Sequence, residues 1–202
     1  MGISLCFGQL KKAKRVQFPT SYETYFYELG AEEKWQEVDS LKEGSFIIEN
    51  SFPKGNRYVG PDGKLFAYAI FWTRVINETE NMIALDLHFP ADSFLIYPSP
   101  DAYLSLFLPP EIMTLEKEPQ QDYGATGLAE FLDAGLKKPT SLQINIDSGE
   151  EYTFYIGALS YLGGGTVRSG LTIQGQDLVY RMSIMPEVKA ALFPCGQIEV
   201  IR

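Results

Sequence analysis

Short segments in which apolar and polar residues alternate, each closed by a turn containing Gly, Pro or Asp, run along most of this chain. Leu142, Ile144 and Ile146 interleave with Gln143, Asn145 and Asp147, and Ile83, Leu85, Leu87 and Phe89 interleave with Ala84, Asp86 and His88. A pleated strand sends successive side chains to opposite faces, so a period of two marks sheets with one buried and one wet face. The pattern predicts strands over Tyr22 to Leu29, Lys34 to Val38, Ser45 to Glu49, Leu65 to Ile76, Met82 to Phe89, Ser93 to Tyr97 and Ala102 to Leu108. A second group covers Leu142 to Asp147, Tyr152 to Leu159, Val167 to Gln174, Leu178 to Ile184 and Ile198 to Ile201.

The longest apolar run, Leu65 to Ile76, is apolar on both faces. Phe66, Tyr68, Ile70, Trp72, Arg74 and Ile76 share one face, and Leu65, Ala67, Ala69, Phe71 and Val75 the other, which predicts a central strand covered on two sides. Pro61-Asp-Gly-Lys64 precedes it as a tight turn. The polar stretch Asn77 to Asn81 reads as a hairpin turn returning Met82 to Phe89 as its paired strand. Period two gives way to helical spacing once, at Leu128, Phe131, Leu132 and Leu136, with Thr126 as a cap and Lys137-Lys138-Pro139 as the stop. This predicts one short helix at about 126–138 capping an open end or edge of a sheet. Pro109 to Tyr123 reads as a long connection, and Pro186 to Phe193 as room for one helical turn. The expected fold is all-β: a two-layer antiparallel β-sandwich, immunoglobulin-like or jelly-roll-like, with a single sandwich domain over 16–202 and a tail or signal-peptide remnant over 1–15.

Composition agrees with a packed core. Of 202 residues, 45% are hydrophobic and 13% aromatic, with 12 Tyr and 13 Phe. Seventeen basic residues face 26 acidic ones, for a charge of −9. Setting aside Lys11, Lys12, Lys14 and Arg15 leaves 13 bases, and −13, for the rest of the chain. Phosphate backbones would be repelled, so nucleic acid is not expected as a partner. No window reaches the 18 or so apolar residues of a membrane-spanning helix.

The N-terminus has three readings. Met1 to Gly8 is apolar and small, as the end of a signal peptide would be, with a mature start near Gln9. Met1-Gly2 with Cys6 and the basic run resembles a lipidation signal, although Cys6 stands where that motif has Ser or Thr. A plain tail is the third.

Chemistry is sparse. His88, the one histidine, shares a strand face with Asp86, but no G-x-S-x-G elbow offers a serine, so a solvent-facing strand histidine is the expectation. Cys6 and Cys195 lie far apart and form no C-x-x-C pair; no metal or other cofactor is expected. Glu78 and Glu80, and Asn145, Asp147, Glu150 and Glu151, cluster in turns without the spacing of a helical calcium loop. Gly163-Gly164-Gly165 lacks the Lys-Ser/Thr of a phosphate loop. Asn77-Glu-Thr79 is a glycosylation sequon.

The remaining candidates are Tyr22, Tyr25, Phe26 and Tyr27. Alternation puts Tyr25 and Tyr27 on one face and Tyr22 and Phe26 on the other, so one set points away from a given core, where exposed rings could stack on sugars. The sequence therefore favours a non-catalytic sandwich protein, exported or surface-associated, that binds a carbohydrate or a protein. A polysaccharide hydrolase or lyase and a lipid-anchored peripheral protein are the alternatives.

Overall fold

The run Leu65–Asn77 organises the molecule. In the computed structural model, which describes residues 18–42, 44–92, 94–95, 103–135, 138–161, 167–183 and 190–202, it is the long strand β5. Four strands precede it: β1 (Ser21–Leu29), β2 (Trp35–Val38), β3 (Phe46–Ser51) and β4 (Lys54–Val59). Then come β6 (Met82–Phe89), β7 (Phe94–Leu95), β8 (Tyr103–Phe107), the helix α1 (Leu128–Gly135), β9 (Thr140–Ile146), β10 (Glu151–Tyr161), β11 (Arg168–Gln174), β12 (Asp177–Ser183) and β13 (Ala191–Ile201). They form two antiparallel sheets. One has the order β2-β1-β3-β5-β10-β8-β7, with β4 also paired to β5; the other runs β11-β12-β13-β6-β9. The chain is an all-β sandwich with one α-helix among the described residues.

From Ile70 onward both faces of β5 are covered, as its sequence predicts, and each belongs to a different core. Phe71 and Val75 point between the sheets, joining Phe46, Ile48 and Ile156 from their own sheet and Leu85, Phe89, Ile173 and Tyr180 from the other. Ile70 and Trp72 point outward into a second cluster with Phe18, Tyr58, Phe107, Tyr123, Leu132 and Tyr155. Apolar area on both sides, at about 25 cal/mol per Å² removed from water, explains why a strand this greasy is stable at the middle of the sheet.

The cover over that outer face is the segment from Pro109 to Gly135. The predicted helix is present but shorter, Leu128–Gly135, and it does not cap a sheet end or edge. Leu128, Phe131 and Leu132, spaced i, i+3, i+4, lay it on the outer face instead. Nor does Thr126 cap it: its hydroxyl and its main-chain N–H both donate to Glu111 Oε1, each at 2.8 Å. Leu136 and Lys137 lie outside the described residues. Upstream, Asp122 and Tyr123 take successive left-handed conformations (φ 48° and 55°), each costing of order 1–3 kcal/mol. The turn drives Tyr123 into the cover, where its hydroxyl donates to Phe52 O at 2.6 Å and its carbonyl accepts from Tyr155 at 2.7 Å.

One pairing departs from the sequence reading. The turn after β5 does not make a hairpin: β5 lies in the first sheet, while β6 pairs with β13 and β9 in the second. Asn77, fully buried, governs this change of sheet. Its Nδ2 donates to Asn81 O (2.7 Å) and Ile146 O (2.9 Å), and its Oδ1 accepts from the Thr79 N–H (3.0 Å) and hydroxyl (2.7 Å). Strand β4 has no counterpart among the predicted strands, and Leu192 and Phe193 are part of β13 rather than of a helical turn. The part of that segment over 186–189 lies outside the described residues.

Candidate functional site

The four aromatic residues singled out on β1 do not form an open groove. Tyr27 is fully buried between the sheets, its hydroxyl 2.8 Å from Thr172 Oγ1 and accepting from Ile173 N–H at 3.0 Å. Tyr25 packs beside it, donates to Glu23 at 2.5 Å and accepts from Arg181 at 2.7 Å. Tyr22 sits at a register shift in β1, its ring tilted against Phe52 with centres 4.6 Å apart and the Arg168 guanidinium 5.4 Å from its ring. Phe26 is half-buried on the outward face. Tyr25 and Tyr27 therefore pack into the core between the sheets, while Tyr22 and Phe26 stay half-buried.

The remaining sequence candidates are also dispersed. His88 and Asp86 are exposed on the outer face of the second sheet, and Asp86 accepts from Gln143 at 3.0 Å. Cys195 is buried, its thiol pushed up to about 12 by burial, and it donates to Leu178 O. Cys6 and the glycine run 163–165 lie outside the described residues, as does the whole of 1–17. Asp147, Glu150 and Glu151 are all exposed, and Glu151 is ion-paired with the buried Arg74, which also meets Glu49 at 3.3 Å. Among the described residues, no three His, Cys, Asp or Glu side chains gather as a metal site would require. The sequon asparagine is Asn77, enclosed and fully hydrogen-bonded, so the folded protein offers it to no glycosylating enzyme.

A different set of aromatic residues does converge. The turn Pro61-Asp-Gly-Lys64 closes the β4–β5 hairpin, with Gly60 N–H bonded to Lys64 O and Gly63 at φ 77°, a conformation that favours glycine. That closure places Tyr58 opposite Phe66. Across β5, Phe66 faces Tyr161 on β10, and Tyr161 faces Tyr103 on β8. Four adjacent strands thus contribute one ring each to a row on the outward face, with Tyr58 6.0 Å from Phe66 and Phe66 5.5 Å from Tyr161. Cross-strand aromatic pairs of this kind also hold the sheet in register. Four residues away along the same two strands, Gly157 leaves room for the Phe107 ring, which an added Cβ would meet at 2.2 Å.

Phe66, Tyr161 and Tyr103 floor a cleft of about 600 Å³. Its walls are the hairpin turn (Gly60, Pro61, Asp62, Lys64) on one side and the C-terminal half of α1 (Asp133, Ala134) on another. Tyr103 is 42% exposed, and Phe66 and Tyr161 are half-buried, so the rings are reachable from solvent. Polar groups rim this apolar floor. Asp62 and Lys64 are ion-paired at 3.0 Å, and the Lys64 ammonium lies 6.0 Å from the centre of the Tyr161 ring. Hydrogen bonds from Lys64 hold the Asp62 carboxyl below the usual carboxylate range. Asp133 accepts from the Tyr58 hydroxyl; burial, reinforced by that aspartate, pushes the hydroxyl up to about 12 and keeps it a donor. Apolar surface with a few convergent polar groups is the usual make-up of a small-molecule site.

Sequence reasoning missed this row because its members come from four separate segments. The turn motif was the available signal: once β4 is seen as a strand, the hairpin alone pairs Tyr58 with Phe66. Compared with protein-family models, curated proteins and solved structures, the chain matches none.

Proposed function

We propose that this protein is a non-catalytic carbohydrate-binding sandwich whose ligand lies in the cleft over Phe66, Tyr161 and Tyr103. The observation that carries the reading is the cross-strand alignment of these rings beneath a rim of Asp62, Lys64 and Asp133. Sugar rings present apolar C–H faces to aromatic surfaces and hydroxyls to carboxylates and ammonium groups, so this mixture suits them. An exported or surface-associated setting, where polysaccharides are met, belongs to the same proposal.

Asp62 suits a hydrogen-bond acceptor for sugar hydroxyls better than the proton-holding acid of a glycosidase. A glycosidase needs a carboxylic acid that holds its proton near neutral pH, and the Lys64 contacts pull the Asp62 carboxyl in the opposite direction. A second reading, a protein ligand, is supported by Val59 and Leu65. They face each other near the hairpin tip and are 62% and 49% exposed.

A glycan array followed by titration calorimetry tests the first reading. The wild-type protein should bind at least one neutral glycan, and Tyr161→Ala should weaken it by roughly tenfold, about 1.4 kcal/mol, without unfolding the protein. An empty array, or equal affinity for wild type and Tyr161→Ala, would overturn it. A pull-down that retains a partner with wild type and loses it with Leu65→Asp would support the second.

A further inference from the structure

We infer that the cleft selects an uncharged oligosaccharide segment of about two or three sugar rings and discriminates against acidic polysaccharides. This inference rests on the sugar-binding reading above and adds both the length and the charge of the ligand.

Length follows from the strands. Phe66, Tyr161 and Tyr103 belong to three consecutive strands, β5, β10 and β8, paired residue to residue. Neighbouring strands lie about 4.8 Å apart, so the aromatic floor runs ~10 Å across the sheet from first ring to third. The ligand chain would therefore cross the strands rather than follow them. The fourth ring of the row, Tyr58, is buried and does not line the cleft, which closes the floor at the hairpin side. A floor of that extent and a volume of about 600 Å³ suit a short segment of a glycan and not an extended one.

Charge follows from how the polar groups are already engaged. Among the described residues, three ionisable groups other than tyrosine line the cleft: Asp62, Lys64 and Asp133. Lys64, the cation among them, is bound to Asp62 at 3.0 Å, so it offers an acidic sugar no unbalanced positive charge. Asp133 adds a negative charge, to which the Tyr58 hydroxyl donates a hydrogen bond without neutralising it. Lys138 lines a separate recess of about 20 Å³ beyond Ala91 and Ser105. A sugar carboxylate brought near Asp133 is repelled inside a protein whose net charge is already −9. A neutral sugar is not: Asp133 and Asp62 accept from its hydroxyls at no electrostatic cost. For like charges several ångströms apart, the discrimination amounts to about threefold under full water screening and more where the cleft excludes water.

Titration calorimetry on the wild-type protein tests this, with neutral gluco-, xylo- and manno-oligosaccharides of increasing length and with oligogalacturonides, each at low and high salt. Affinity for the neutral series should rise to about the trimer and then level off, with little change on adding salt. Oligogalacturonides should bind at least ~3-fold more weakly at low salt, and the gap should narrow at high salt or in Asp133→Asn. Tighter binding of oligogalacturonides, or neutral affinity that keeps climbing well past the trimer, would overturn this inference while leaving the sugar reading intact. No binding by either series would overturn both.

Discussion

Asn77→Ala is the substitution whose cost can be worked most directly from the structure. The side chain is fully buried where β5 hands over to β6, and it makes four hydrogen bonds of 2.7 to 3.0 Å. Two are donated to main-chain carbonyls, of Asn81 and Ile146, and two are accepted from Thr79. A typical bond contributes about 1 kcal/mol net, and a buried partner left unsatisfied costs about 1–3 kcal/mol. The Thr79 hydroxyl can turn to water, whereas Ile146 is buried and its carbonyl cannot. The expected loss is therefore about 2–4 kcal/mol, a fall in Tm of roughly 5–15 °C for a chain of this size. Urea denaturation should show a lower midpoint with an unchanged slope. Asn77→Asp should cost more, because both donated bonds become contacts between oxygens. Asn81→Ala is the control: its side chain is exposed and the bonds use its main chain, so its effect should stay within about 0.5 kcal/mol. If Asn77→Ala loses less than about 1 kcal/mol, the claim that this residue locks the change of sheet is wrong.

Tyr27→Phe should cost about 1–2 kcal/mol by urea denaturation, since it deletes the hydroxyl that joins β1 to Thr172 and Ile173 across the sandwich; no change would mean the bond contributes nothing. Cys195, buried with its thiol pushed up to about 12, should label slowly with a maleimide at neutral pH in the native protein and quickly in denaturant, as peptide mapping would show. Burial raises the Glu111 carboxyl, but hydrogen bonds from Thr126 and Lys117 outweigh it and the net shift is downward from 4.5. A carboxyl depressed in the folded state stabilises above its unfolded pKa, and that contribution disappears as pH falls through the lower folded value. Urea midpoints should therefore fall below about pH 4.5, less steeply in Glu111→Gln, and parallel curves for the two proteins would refute this role.

The strands were largely legible because their signal is local. Alternation on β6 and β9, and the two apolar faces of β5, are written in consecutive residues. What escaped depends on partners distant in sequence. Asn77 to Asn81 has the composition of a hairpin turn, and its residues carry no sign that β5 and β6 part into different sheets; the side-chain bond to Ile146 decides that, from 69 residues away. Strand β4, Lys-Gly-Asn-Arg-Tyr-Val, is polar and carries a glycine, so its pairing with β5 overrides a weak propensity. The helix was readable from its spacing, yet its seat was not, because the outward core it covers draws on Phe18, Tyr58 and Phe107 from three other segments. The aromatic cluster on β1 was conspicuous in sequence for a structural reason: Tyr27 needs its ring between the sheets and its hydroxyl on β11.

Strand β13 lies in the middle of its sheet, flanked by β12 on one side and β6 on the other. Until it docks, that sheet exists only as two separate pairs, β11 with β12 and β6 with β9. During synthesis, then, the inward rows of Leu85 and Leu87 on one pair and of Leu171 and Ile173 on the other would lie on two unjoined halves of their sheet until β13 has left the ribosome. A ribosome-stalled chain ending before Ala191 should be readily degraded by protease, and trimming a few residues from that end would harm folding far more than its exposed position suggests.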